Sequence, residues 1–292
     1  MKPAAPKSVG VVANVSKPEA PAALEVLLRL LDEHRVRLGL ETQTAALAGR
    51  PELGRPLAEI GPEVDLVIVL GGDGTMLRVA RELTATSTPI LGVNLGGLGF
   101  LTSVRLPELT AALEEILQGR YQLSERQTLQ TAVLRGGLPI ETHPALNDVV
   151  ISRSTFSRVV RLRLTIDGEL LTEYVCDGMI FATATGSTAY SLSAGGPILL
   201  PAARALVITP ICPHALSNRS VIAGAESCAR CQVVSAPGDL LLTVDGQVQR
   251  RLEVGDTVEV RPAANPVRLL TPTGHSYFEL LRQKLKWSGA NV

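Results

Sequence analysis

Residues 64–75 read Val-Asp-Leu-Val-Ile-Val-Leu-Gly-Gly-Asp-Gly-Thr. Val64–Leu70 is an almost unbroken apolar run of strand length, the pattern of a parallel strand covered on both faces. The glycines then turn the chain, and Met76, Val79, Ala80 and Leu83 recur at helical spacing, with Arg78, Arg81 and Glu82 off the stripe. Strand, glycine turn and helix make the repeating unit of an open α/β sheet. Outward from it, residues 8–15 read as a second buried strand. Leu24, Leu27, Leu28 and Leu31 form a helical stripe that Gly39 is expected to stop. Pro89–Val93 is a third strand, leading into the loop Asn94–Phe100, and Leu106, Leu109, Leu113, Ile116 and Leu117 mark a third helix. Residues 1–120 are therefore expected to form an open, Rossmann-like α/β domain.

The pattern changes near Tyr121. Val160, Leu162, Leu164 and Ile166 alternate with Arg161, Arg163 and Thr165, Asp167-Gly168 supplies a hairpin turn, and Leu170–Cys176 is the return strand. Arg161 and Arg163 then lie on a solvated face. Further β runs are expected at Leu206–Thr209, Cys231–Ser235, Leu240–Val244, Arg251–Val254, Thr257–Val260 and Val267–Leu270, with no helix between Tyr121 and Leu270. Residues 121–270 thus read as an antiparallel β-sandwich domain. Helical spacing returns at Tyr277–Lys286 through Phe278, Leu281 and Leu285, so residues 271–292 are expected to pack back on the N-terminal domain.

The chain has 292 residues, about two domains at ordinary domain size. Hydrophobic residues are 46% and charged residues 19%, which excludes low-hydrophobicity disorder. With 28 basic and 28 acidic side chains and only 3% aromatics, neither an electrostatic footprint nor stacking platforms for nucleic acid are present. The N-terminus lacks the apolar core of a secretory signal, and residues 178–203, though uncharged, are broken by Gly and Pro. No membrane association and a cytoplasmic location are expected. Cys176, Cys212, Cys228 and Cys231 are too few and scattered for a disulfide scaffold, and Cys228-x-x-Cys231 lacks a spaced second pair for zinc.

Two segments carry candidate chemistry. Gly71, Gly72, Gly74 and Thr75 sit between strand and helix, where backbone N–H groups meet phosphate. Asp73, the one acid in that loop, suits a general base for a hydroxyl or a ligand for Mg²⁺; the bland alternative is an N-cap. Thr183–Pro197 is dense in hydroxyls and small residues, fit to hydrogen-bond a sugar or phosphate without bringing charge. Asn147-Asp148 suits ribose hydroxyls, a base amine or an Asx turn. Asp177-Gly178 and Asp245-Gly246 read as turns.

In their order and approximate spacing, Gly71–Thr75, Asn147-Asp148, Thr185–Pro197 and Pro210–Arg219 resemble the NAD kinases, over nearly the whole chain. Gly-Gly-Asp-Gly alone is shared with phosphofructokinases and with diacylglycerol and sphingosine kinases. The Thr-Gly-Ser-Thr-Ala-Tyr-Ser segment is far more specific. The resemblance implies an α/β domain followed by a β-sandwich, and transfer of a phosphoryl group from ATP or polyphosphate to the 2′-hydroxyl of the adenosine ribose of NAD, making NADP. Asp73 then looks like the proton acceptor, with Gly74, Arg78 and Phe100 near the dinucleotide. By the same resemblance Asn147 and Asp148 hold the adenosine. Thr188, Ala189, Tyr190, Ser191, Leu192 and Ser193 form the second binding segment. Asp177 lies near the nicotinamide, and Arg158 and Gln247 are further contacts. No side-chain cluster is expected for metal; Mg²⁺ arrives on the donor phosphates. A homo-oligomer, dimer or tetramer, is implied. Two positions depart from the family pattern: Asp148 is one methylene shorter than the commoner Glu, and Val175 is uncharged where some relatives are basic.

Overall fold

The computed structural model describes residues 4–97, 99–154, 159–274 and 276–287. The chain divides into two compact units: one runs to Glu125 and resumes at Val267, and the other is Arg126–Pro266.

The first unit is an α/β layer structure. Its strands are β1 (Ser8–Ala13), β2 (Arg37–Glu41), β3 (Gly54–Arg55), β4 (Leu66–Gly71), β5 (Ile90–Asn94), β6 (Val104–Arg105) and β7 (Tyr121–Arg126), with β20 (Val267–Pro272) from the end of the chain. They order as β3-β2-β1-β4-β5-β20-β7, and β6 also pairs β5. The pairings from β3 through β20 are parallel. Helices are α1 (Ala20–Glu33), α2 (Thr42–Leu47), α3 (Leu57–Ile60), α4 (Asp73–Glu82) and α5 (Leu109–Leu117). Strand β4 is buried at every residue. Its Leu66, Ile68 and Leu70 share a core with Leu24, Leu27 and Leu31 of α1 and Leu113 and Ile116 of α5. By strand alternation Val67 and Val69 face the opposite side. Burial on both faces is why this run carries no polar alternation.

The second unit is a sandwich of two six-stranded sheets. Its strands are β8 (Leu129–Arg135), β9 (Leu138–Ala145), β10 (Asp148–Arg153), β11 (Val160–Ile166), β12 (Glu169–Cys176), β13 (Gly178–Ala182), β14 (Ala205–Ile211), β15 (Val221–Gly224), β16 (Ala229–Ser235), β17 (Leu240–Val244), β18 (Val248–Leu252) and β19 (Thr257–Pro262). One sheet orders β12-β11-β16-β19-β8-β9, the other β15-β14-β13-β10-β17-β18. Leu162, Leu164, Val258 and Val260 of the first meet Val149, Ile151, Phe181 and Leu242 of the second in one core. Asp167 and Gly168 take φ of 53° and 88°, the left-handed pair that a two-residue hairpin between β11 and β12 requires. Arg161 and Arg163 are exposed as expected.

Several elements differ from the sequence expectation. Helix α1 ends at Glu33, where Arg35 takes φ 53°, so Gly39 is not its stop. Gly39 lies inside β2, and a Cβ there would stand 2.8 Å from Ile60 Cγ2; close packing is what the glycine serves. The strand expected at Arg251–Val254 is Val248–Leu252, because the tight turn after β17 puts Val248 opposite Val244. Val267–Pro272, grouped with the β half by its composition, pairs in parallel with β5 instead. A short helix, α6 (Tyr190–Ser193), interrupts the segment expected to hold none. The last helix, α7 (Tyr277–Leu285), buries Leu281 but leaves Phe278 exposed. No described helix is long and apolar enough to cross a membrane.

Candidate active site

In the first unit the glycine loop lies at the carboxyl end of β4. Gly72, not Asp73, is the N-cap of α4, and it makes no side-chain cap bond. The positive end of the helix dipole therefore meets the loop with no N-cap side chain over it. Asp73 is the first helical residue and reaches across to the loop after β5. Its Oδ2 accepts from the N–H of Phe100 at 2.8 Å and its Oδ1 from the N–H of Leu101 at 3.0 Å. The carboxylate stays partly exposed, and each oxygen keeps a lone pair free of those two bonds. Gly99 makes the approach feasible, since a Cβ there would collide with Asp73 Oδ1. Buried Asn94 stakes the same loop: its Nδ2 donates to the Gly97 carbonyl and to Thr102 Oγ1, both at 2.8 Å, and its Oδ1 accepts from the N–H of Gly96.

The other expected residues of this unit are placed as follows. Thr75 does not cap α4; buried, it accepts from Asn14 Nδ2 at 3.3 Å, and Gly71 must lack a Cβ to pass its side chain. Gly74 is exposed at the start of the helix. Arg78 pairs with Glu82 one turn on, at 3.1 Å. The Phe100 ring lies under the ammonium of Lys284 from α7, 5.4 Å from its centroid.

In the second unit, Asn147 and Asp148 lead into β10 and face the turn after β13. That turn is tied to them by backbone and hydroxyl. Thr183 donates its N–H to the Asn147 carbonyl at 2.9 Å and its hydroxyl to the Leu146 carbonyl at 2.7 Å. Gly186 passes so close that a Cβ would be driven into the Asn147 backbone. Thr183–Pro197 is therefore no surface loop: residues 183–187 are buried, Ser187 Oγ accepts from the N–H of Leu199, and Ser191 Oγ bonds Thr209 Oγ1 at 3.0 Å. Thr188 bonds the Thr185 carbonyl. Ala189 and Leu192 are partly exposed, while Tyr190 and Ser193 are exposed. Two oxygens here, Asn147 Oδ1 and Thr185 Oγ1, are buried with no hydrogen-bond partner. Buried polar atoms are normally satisfied, so both oxygens are suited to accept from a bound polar group.

Asp148 is only 6% exposed. Burial, and then the nearby Asp245 carboxylate, push its pKa up to about 7, against one stabilising bond from the N–H of Tyr190. A carboxyl whose pKa is higher folded than unfolded binds more protons in the folded state between roughly pH 4 and 7. Stability therefore falls as pH rises through that window and levels off above it, by on the order of 4 kcal/mol for a shift of this size. Asp148→Asn has no such proton to lose. Thermal unfolding should show the variant gaining on the parent between pH 5 and pH 8; a gap that stays constant with pH would contradict the shift.

Asp177 is joined to Arg153, whose Nε lies 2.7 Å from Oδ1. Gln247 closes the turn after β17 and is exposed. Arg158 lies outside the described residues. Among the described residues no group of three or more His, Cys, Asp or Glu is placed to hold a metal ion. Cys231 is fully buried in the sandwich core, and burial raises its thiol pKa far above the usual range. Sequence reading missed Asp245. Its Asp-Gly pair does form a turn, with φ of 49° and 66°, but the carboxylate is buried and accepts from three amides, those of Leu146, Asn147 and Asp148. Asn94 and Gly99 were likewise only loop residues by sequence.

A family model for the ATP-NAD kinase N-terminal domain matches residues 9–121, and one for the ATP-NAD kinase C-terminal domain matches residues 146–272. The chain is 43% identical to the NAD kinase of Syntrophotalea carbinolica over 281 residues, 96% of this chain and 99% of that one. It is 42% identical to the NAD kinase of Symbiobacterium thermophilum over 94% of this chain and 97% of the relative. Yeast NADH kinase, solved in complex with NADH, superposes at a TM-score of 0.85 with 28% identity, over 97% of this chain and 89% of its own. An NAD kinase from Archaeoglobus fulgidus, solved with ATP, shares the fold at a TM-score of 0.74 and 22% identity, over 97% and 100%.

Proposed function

This chain belongs to the NAD kinase family, and we propose that it transfers a phosphoryl group from ATP or polyphosphate to the 2′-hydroxyl of the adenosine ribose of NAD, yielding NADP. One observation carries the assignment of the chemistry: Asp73, at the N-terminus of α4 beyond a buried parallel strand, is held by two amides and still partly exposed.

A secondary hydroxyl must lose its proton as its oxygen bonds the transferred phosphorus, while the bond to the leaving phosphate breaks. Asp73 is the acceptor for that proton. The bonds from Phe100 and Leu101 fix the carboxylate in one orientation, so the reacting oxygen needs little ordering at the moment of transfer. Gly71 and Gly72 bring backbone close to the donor phosphates, and the uncapped start of α4 favours their charge. Arg78 reaches a phosphate only by exchanging Glu82 for it. The residues fit a divalent cation that arrives on the donor, with Asp73 the one carboxylate of the glycine loop; Mg²⁺ there would neutralise charge on the phosphate oxygens. In the second unit, Asn147, Asp148 and Thr185 hold the adenosine through groups that are orphaned or proton-hungry without it.

The test is direct. Purified protein incubated with NAD, ATP and Mg²⁺ should form NADP, read through an NADP-specific dehydrogenase. Failure to form NADP with either ATP or polyphosphate would remove the proposal.

A further inference from the structure

We infer that Asp245 is the positioning residue of the adenosine-binding group, and that it holds Asp148 as a neutral carboxylic acid which both donates to and accepts from one edge of the adenine ring. The inference rests on the dinucleotide reading above and names the form of Asp148 that binds.

The geometry starts with a shared set of amides. Asp245 Oδ2 takes the N–H of Leu146 at 2.9 Å, and its Oδ1 takes those of Asn147 at 2.7 Å and Asp148 at 3.1 Å. In return the N–H of Asp245 donates to the Asp148 carbonyl at 2.9 Å. The two residues are thereby locked side by side, and the amides that could steady a charge on Asp148 serve its neighbour instead. Asp148 receives the N–H of Tyr190. The turn after β17 brings the Asp245 carboxylate against it, and α6 meets it through the backbone N–H of Tyr190. Strand β13 and the turn after it bring Ala182, Thr183 and Thr185, none of them charged. Among the described residues no cation acts on Asp148, and its raised pKa agrees with that setting. Holding both carboxyls ionised in one buried place is costly, and the one with three amides keeps the charge.

A carboxylate only accepts, whereas a carboxylic acid donates from one oxygen and accepts at the other. Adenine presents an amine donor beside a ring-nitrogen acceptor, the pattern that an asparagine pairs through two bonds. Neutral Asp148 matches both groups; ionised Asp148 would set its charge against the ring-nitrogen lone pair. The unpartnered Asn147 Oδ1 and Thr185 Oγ1 lie in the same cluster and point to a ligand of this polar kind.

The sign of proton exchange decides the matter. Calorimetric titration of the full chain with NAD at pH 7.5, in two buffers of unequal ionisation enthalpy, counts protons taken up or released on binding. Net uptake is expected, with Kd rising by up to about tenfold per pH unit between pH 7.5 and 9. Asp148→Asn should abolish the uptake and flatten Kd across that range. Asp245→Asn should weaken binding and raise the uptake toward one proton, because without the neighbouring charge Asp148 is more fully ionised before NAD binds. Asp245→Glu, which keeps the charge, should weaken binding with the parental uptake retained. Should neither Asp245 variant fold, as circular dichroism would show, the Asp148→Asn titration still decides the acid form. Proton release, no exchange, or uptake that survives Asp148→Asn overturns this inference alone. A folded Asp245→Asn protein with parental Kd and proton count overturns the role of Asp245. Absence of NAD binding at every pH overturns the dinucleotide reading and this inference with it.

Discussion

Asp73→Asn should lower kcat for NADP formation by ~10²–10⁴-fold, the usual scale for losing a general base, with the KM for NAD little changed. The substitution keeps the size of the side chain but removes its capacity to take a proton. It also turns one donor-bearing nitrogen toward the amides of Phe100 and Leu101, which now serve two carboxylate oxygens. Some loosening of the backbone at Phe100 and Leu101 will accompany the catalytic loss, so melting temperature must be measured beside kcat. The two roles separate cleanly. If Asp73 is only the anchor of that loop, the melting temperature falls and kcat survives. If it is the base, kcat collapses even where the fold is intact. Gly99→Ala offers a check from the other side, since its methyl group presses on the same carboxylate without altering its chemistry.

Gly186→Ala should cost about 1–3 kcal/mol of stability, the range for overpacking a tight site, and should weaken NAD binding in proportion. The new methyl group has nowhere to go. It would enter the peptide of Asn147, whose Cα lies 2.7 Å from the Cβ position, and backbone yields less readily than a side-chain end. Gly186 is further tied by its own N–H to Thr183 Oγ1 at 3.0 Å and by its carbonyl to the N–H of Ala189. Relief can come only by parting the turn from Asn147, which disturbs the binding residues themselves. Gly224→Ala is the matched control: its nearest neighbour is Ser227 Oγ at 3.8 Å, an ordinary contact. Denaturant midpoints and NAD titrations of both variants would check this; equal small effects would mean that the turn is not pinned as described.

How much of this was legible depended on the distance over which the information is written. Strand β4 and the two helical stripes of α1 and α4 were plain, because burial of one or both faces stamps a period on consecutive residues. The hairpin at Asp167-Gly168 was plain for the same local reason. The stop of α1 was misassigned to Gly39, since a glycine reads alike whether it ends a helix or clears room for Ile60. The sheet membership of β20 could not be read, because Val267–Pro272 has the same composition whichever sheet it joins. Thr183–Pro197 was recognisable as unusual by its hydroxyls, but its burial was not, since Thr183, Thr185, Ser187 and Ser191 look like solvated residues until their partners are known.

From the residues alone came the layer type of each half, the glycine loop with its single acid, and the motif order that marks the family. The layers and the glycine loop rest on neighbours within a few positions, and the motif order on short segments each legible by itself, so spacing and side-chain type are enough. Only the folded chain decided which carboxylate meets which amide. Asp73 finds the amide of Phe100 27 residues away, and Asp245 finds that of Asp148 97 residues away. Such meetings are set by sheet register and by where glycines let backbones touch, and neither leaves a mark in the sequence around the acid.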